Sequence, residues 1–121
     1  MNYKKLAFFF LTPIFVNHLA HCKNTHILIK GKTLPIELPS NAASTGYSWI
    51  LATPLDSTSK IKIIRSGYKS PKSNLIGALG IQFWIIQGIR KGQQVLLFEK
   101  KRPWQPNTAA SETKVFLIDV K

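Results

Sequence analysis

Carboxylates are scarce in this chain. Five Asp and Glu stand against seventeen Lys and Arg, for a formal net charge of +12. The five, Glu37, Asp56, Glu99, Glu112 and Asp119, are scattered and show no spacing that suggests a general acid/base pair. Cysteine is scarcer. Cys22 is the only one, so no intramolecular disulfide can form and the fold must rest on its hydrophobic core. Of the three histidines, His18 and His21 lie near the N-terminus and only His26 falls in the body of the chain. Nucleophilic catalysis needs a Ser, Cys or Thr with a base in reach, usually His, and His26 reads as a structural or solvated residue. No His/Cys/Asp cluster has metal-ligand spacing, and no glycine-rich loop precedes a helix to hold phosphate. These shortages argue against an enzyme, a metal site and a cofactor. Long apolar runs are missing too. Leu6 to Val16 is short and broken by Thr12 and Pro13, against the ~20 apolar residues that spanning a bilayer takes.

That run does have the make-up of a secretory signal. Lys4 and Lys5 form a positive start, Leu6 to Val16 the apolar centre, and Asn17 to Cys22 a polar exit. Residues 1–21 are expected to be a signal peptide cut near Ala20 to Cys22, leaving one domain over 22–121 that is secreted or periplasmic. Leu19-Ala20-His21-Cys22 also resembles a bacterial lipobox, with His21 where Gly, Ala or Ser is usual. In that alternative Cys22 carries a lipid, and a membrane is expected as a partner only then.

The excess of positive charge would suit nucleic acid, a membrane surface or an acidic protein. The cations are spread out, however. The tightest groups are Lys4-Lys5, Arg90-Lys91 and Lys100-Lys101-Arg102. Diffuse charge of this kind reads as a solvated surface, so nucleic acid is not expected. Binding to an anionic polymer remains an alternative, marked by affinity that falls steeply with salt.

Hydrophobic residues make up 45% of the chain, enough for a globular core. From Thr25 onward they fall in short strands separated by turn residues, with no helical period. The expected strands are Thr25–Lys30 with Ile27 and Ile29 on one face, Thr33–Leu38 with Pro35 marking an edge or a beginning, and Tyr47–Ala52. Lys60–Tyr68 follows, with Ile61 and Ile63 on one face until Arg65 to Gly67 break the order. The last three are Ile81–Gln87, Gln93–Lys101, and Thr113–Val120 with Phe116, Ile118 and Val120 on one face. Thr53 to Ser59, Lys69 to Gly80 and Arg102 to Glu112 are expected loops. About seven strands in roughly 100 residues is the count of an immunoglobulin-like β-sandwich, and the expected class is all-β. A small closed barrel fits the same pattern.

Binding is then the natural class, with recognition on loops. Three loops stand out. The first lies within Pro39 to Trp49: turn formers, then the small residues Ala42 to Thr45, then Gly46, which is free to take positive φ. Tyr47, Trp49 and Ile50 carry it into a strand. Taken alone it reads as an ordinary connection between strands. The second is Gly77-Ala78-Leu79-Gly80, and the third is Arg102-Pro103-Trp104, a stiff tip of residue types enriched at interface hot spots.

Together the three loops resemble the chagasin-like family of cysteine-peptidase inhibitors, small disulfide-free immunoglobulin-like proteins (family I42). The family pattern is an Asn-Pro-Thr-Thr-Gly-aromatic loop, a Gly-x-Gly-Gly loop and an Arg-Pro-Trp tip. The counterparts are Ser44-Thr45-Gly46-Tyr47 with Trp49 two residues on, Gly77-Ala78-Leu79-Gly80, and Arg102-Pro103-Trp104. The resemblance spans almost all of the chain after the signal. It implies a reversible, tight-binding inhibitor, expected as a monomer, that occludes the cleft of a papain-like cysteine peptidase. Asn41, Ala42, Ala43, Ser44, Thr45, Gly46 and Tyr47 would enter the cleft with Thr45 near the reactive cysteine. Gly77, Ala78, Leu79 and Gly80 would run along the substrate side, and Arg102, Pro103 and Trp104 would pack opposite. The sequence departs from the pattern at Ala43, where proline is usual, at Ala42, where asparagine is usual and Asn41 stands one place early, and at Leu79, where glycine is usual. Without its proline the first loop is expected to be freer and to order at greater cost on binding, and proline restored at Ala43 is expected to tighten inhibition. The alternative reading is a secreted or periplasmic binding module on the same scaffold without peptidase inhibition.

Overall fold

The computed structural model describes residues 24–72 and 77–121. The expected signal peptide, its cleavage region and the Cys22 lipidation alternative lie outside the described residues, as do residues 73–76 of the second long loop.

Seven strands and one helical turn make up the described chain. The strands are β1 (Thr25–Leu28), β2 (Thr33–Ser40), β3 (Ser48–Leu51), β4 (Ile61–Lys69), β5 (Gly80–Gly88), β6 (Gly92–Lys101) and β7 (Glu112–Val120), and the turn, α1, is Ala42–Thr45. They form two sheets, β1-β7-β6-β3 and β2-β5-β4. This is the expected all-β sandwich of seven strands. β1 runs parallel to β7, and the remaining pairs are antiparallel. The chain changes sheets at the tight turn after β1, where Lys32 N–H donates to Ile29 O and Gly31 takes φ 87°.

The core lies between the sheets and is built by strict alternation. Leu96, Phe98, Phe116, Ile118 and Val120 point inward from one sheet, and Ile36, Leu38, Trp84 and Ile86 from the other. Phe98 is central. Its ring is 4.6 Å from Trp84 and 5.6 Å from Phe116, the latter edge-on, the arrangement aromatic quadrupoles favour. Phe116, Ile118 and Val120 face inward as their spacing predicts.

Two expected strands differ in detail. Ile27 in β1 and Ile29 just after it turn to solvent, at 67% and 55% exposure, and Leu28 enters the core. The parallel pairing decides this: Leu28 sits opposite Val120 and His26 opposite Ile118, both on the inner side. His26 stacks on Phe116 at 5.9 Å, a structural role. In β4 Ile61 is buried but Ile63 is not, and the pairing with β5 slips just beyond it, between Ile63 and Arg65. The break in alternation at that point is a register irregularity of the β-bulge kind. Pro35 lies in β2, an edge strand, where a missing N–H costs no ladder bond.

Candidate functional site

The strand register gathers the three candidate loops at one end of the sandwich. Ser40, the last residue of β2, pairs with Gly80, the first of β5. Ser48, the first of β3, pairs with Lys101, the last of β6. The first loop therefore leaves its sheet beside the end of the second loop and joins the other sheet beside the start of the third. It is the bridge between the sheets, with a neighbour at each foot.

The first loop is more ordered locally than its composition suggests. Ala42–Thr45 make one helical turn rather than an open loop. Ser44 and Thr45 N–H donate to Asn41 O at 3.0 Å, and Gly46 N–H donates to Ala42 O at 2.8 Å. Gly46 ends the turn at φ 79°, a left-handed position that suits glycine. The Thr45 hydroxyl ties the ends together. It lies 3.1 Å from Asn41 O and 3.3 Å from Asn41 Oδ1, and it accepts from Tyr47 N–H at 3.2 Å. Small residues permit this turn, since Ala has the best helix propensity, and no β-branched residue precedes Thr45. Four residues are too few to show a helical period, so the sequence carried no signal of it.

The third loop closes over the first. Arg102 Nε donates to Thr45 O at 3.4 Å, and the Arg102 guanidinium lies 4.5 Å from the Tyr47 ring centre. The Trp104 indole lies directly against Gly46. A Cβ at that glycine would collide with its ring. Trp104 is nevertheless 66% exposed, so its other face is free. The tip is held by Gln105 N–H donating to Arg102 O at 3.0 Å and Lys101 Nζ donating to Pro106 O at 3.4 Å.

In the second loop, Gly77 takes φ 83° and Ala78 is half-buried. Leu79 directs its side chain to solvent at 57% exposure. Gly80 is pressed against Tyr68 and the Lys69 backbone, with no room for a side chain. The structure thus brings Asn41–Tyr47 together with Arg102 and Trp104 in direct contact, and joins Gly80 to them through the β2–β5 ladder.

Trp49 anchors the first loop from beneath. It is 3% exposed, and its Nε1–H donates to Pro39 O at 2.9 Å, tying β3 back to the end of β2. Its backbone is held by Gln82, a residue outside all three loop motifs. Trp49 N–H donates to Gln82 Oε1 at 2.7 Å, and Gln82 Nε2 donates to Trp49 O at 3.2 Å. The available signal was a lone amide in the apolar run Ile81-Gln82-Phe83-Trp84-Ile85-Ile86. Lys100 lies 5.8 Å from the Trp49 ring on the same side. Beneath the same end Ser40 is buried with its Oγ unbonded among the described residues.

The opposite end of the sandwich is stapled differently. Asp56 Oδ1 accepts from the Thr58 hydroxyl at 2.6 Å and the Thr58 N–H at 2.8 Å, and these bonds hold its carboxyl below the usual carboxylate range. Among the described residues no group of His, Cys, Asp and Glu is placed to hold a metal ion.

The comparisons with known proteins bear on the fold and the family. No curated protein matches the chain. The cysteine protease inhibitor EhICP2 of Entamoeba histolytica superimposes with TM-score 0.68 at 18% identity, over 81% of this chain and 86% of that one. The Leishmania mexicana ICP gives 0.52 at 22%, over 84% and 93%. These two show a shared fold. PbICP-C, solved in complex with falcipain-2, gives 0.54 at 26%, over 80% and 86%. Residues 28–120 match the family described as Chagasin family peptidase inhibitor I42. That match covers most of the chain and all three loops, so the chain belongs to the chagasin family of cysteine-peptidase inhibitors, proteins that bind peptidases and are not enzymes themselves.

Proposed function

We propose that this chain is a reversible, tight-binding inhibitor of papain-like cysteine peptidases that occludes the catalytic cleft with three loops. The observation that carries the reading is the register that sets the loops side by side: Ser40 opposite Gly80 and Ser48 opposite Lys101. In this reading Asn41–Tyr47 is the central wedge with Thr45 toward the reactive cysteine. Gly77, Ala78, Leu79 and Gly80 flank it on one side, and Arg102, Pro103 and Trp104 on the other. The complex of PbICP-C with falcipain-2 supports a peptidase partner of this type.

The geometry also supports resistance to cleavage. A peptidase cleft takes its substrate extended, and the peptide bonds of Ala42–Thr45 are wound into a turn. The Thr45 carbonyl is directed to Arg102 within the inhibitor. The nucleophile would meet small side chains and a carbonyl that is already engaged.

A titration of several papain-like peptidases with the purified protein tests this. Stoichiometric or nanomolar inhibition, with the inhibitor recovered intact, is expected. Full peptidase activity at large inhibitor excess would overturn the proposal. It would favour the second reading, a binding module without inhibition, for which the observation is the helical turn in place of the usual proline-bearing loop.

The signal-like N-terminus supports a secreted or periplasmic location, with residues 1–21 removed or, in the alternative, Cys22 lipidated. The mass of the mature chain from its own host distinguishes cleavage at Ala20 to Cys22 from a retained N-terminus and from a lipid adduct. A monomer is proposed, and light scattering on the purified chain measures it.

A further inference from the structure

The free edges of the two sheets are protected unequally. The β1 edge is four residues long. The β2 edge carries Pro35 and Pro39. The β3 edge is capped at Trp49, whose N–H and C=O both bond the Gln82 side chain. β4 has nine residues and no proline, and every one after Ile61 is exposed. Among the described residues its backbone pairs with β5 alone.

An unpaired edge is a template for another strand, and the charges on β4 select which. Lys62, Arg65 and Lys69 lie along it, with Lys60 just before and no carboxylate among them. Lys69 reaches Glu37 of β2 at 3.6 Å, with both side chains largely in water, and such a contact is weak. Two copies of β4 side by side would set cation against cation, which is unfavourable. A strand with Asp or Glu at alternate positions would meet the opposite sign instead.

Both faces of the edge offer places for side chains. On the outer face Phe83 lies over Gly67, where a Cβ would be 3.0 Å from the ring. Arg65 and Lys69 flank that ring at 5.5 and 5.3 Å. On the inner side the gap between the β3 and β4 edges forms a pocket lined by Trp49, Ser66, Tyr68, Gln82 and Trp84. An added strand alternates its side chains between two such faces, so the backbone supplies affinity and the faces supply selectivity.

We propose that β4 is a docking edge for an extended acidic segment of a partner protein, with alternate carboxylates on Lys62, Arg65 and Lys69 and the intervening side chains turned to the pocket. This edge runs along the side of the sandwich, and the proposal does not depend on peptidase inhibition.

The test uses the purified full chain and three labelled heptapeptides: alternating Glu-Val, alternating Lys-Val, and alternating Glu-Pro with the charge of the first. Fluorescence anisotropy reads binding at low and high salt, and amide hydrogen exchange reads location. The Glu-Val peptide should bind, weaken at least about tenfold in high salt, and slow exchange on β4, while the other two do not. The double variant K62E/R65E should lose that binding at least about tenfold, converting attraction to repulsion, with its melting temperature and peptidase inhibition unchanged. Three results would overturn the proposal: no binding of the Glu-Val peptide, equal binding of the Glu-Pro peptide, or protection away from β4. A concentration-dependent dimer that protects β4 without peptide would do the same, because a second copy would then fill the edge.

Discussion

The indole of Trp104 rests on the α-carbon of Gly46, in the space a side chain would occupy. The tip of the third loop thereby braces the end of the helical turn in the first, and Gly46 is required twice. It takes φ 79°, and it leaves room for the ring. Gly46→Ala should therefore weaken peptidase inhibition by about tenfold or more, since positive φ and the collision both displace the turn. The melting temperature should fall by a few degrees at most, because the turn and the tip can shift without disturbing the core. Inhibition constants and thermal melts on the same preparations check this; unchanged inhibition would show that the turn does not enter the cleft.

Trp104→Ala should weaken inhibition by about 2 kcal/mol, as truncation of a hot-spot aromatic does. At 66% exposure the ring buries little within the inhibitor, so the loss should fall on binding rather than folding. Combined with Gly46→Ala, the two losses should be less than additive, because the alanine has nothing left to strike once the indole is gone. Additive losses would mean that the contact in the free protein is not kept in the complex.

Ala43→Pro is altered by the structure. With the loop taken as open, proline promised tighter inhibition by preorganisation. Ala43 stands in the first turn of a helix, and its N–H has no partner among the described residues, so no hydrogen bond between them is lost. Proline instead disfavours the helical conformation at Ala42 before it. Where the native backbone is incompatible, the penalty exceeds the ~0.4–1 kcal/mol entropic gain. The expected result is inhibition weakened severalfold, read from the inhibition constant. Tighter inhibition would show that the bound loop is extended and the helical turn is left behind on binding.

Gln82→Ala removes both hydrogen bonds at the Trp49 backbone. A buried or half-buried polar group left unsatisfied costs about 1–3 kcal/mol, so the melting temperature should fall by several degrees. Aggregation on heating should rise, because a strand edge has been opened. Thermal melts and light scattering measure the two effects. A variant as stable as the parent would mean that water replaces the amide at Trp49 without loss.

Most of the frame could be read from alternation. Phe116, Ile118 and Val120 point inward as their spacing requires, and the turn residues fall between strands. β1 could not be read, because Ile27, Leu28 and Ile29 are all apolar and only the parallel pairing with β7 decides which of them is buried. The register slip in β4 showed as a break in pattern, but the exposure of Ile63 did not. At the candidate site the three short motifs placed the loops. The helical turn over Ala42–Thr45 was too short for any period to reveal. The bond from Arg102 to Thr45 and the bracing by Gln82 join residues far apart in sequence, and only the folded geometry brings them together.

The pairing of Ser40 with Gly80 and of Ser48 with Lys101 has one more consequence. The width of the three-loop edge is set by the framework and not by the loops themselves: about 4.8 Å from strand to strand within each sheet and about 10 Å from sheet to sheet. The sandwich therefore works as a jig. In the proposed mode of inhibition, residues between the fixed feet would be exchanged to fit a cleft of different shape, while the feet hold their separation because the core strands define it. If the three loops enter the cleft as proposed, selectivity among peptidases would be retuned within Asn41–Tyr47, Gly77–Leu79 and Arg102–Trp104, with Gly46 and the ring above it changing together.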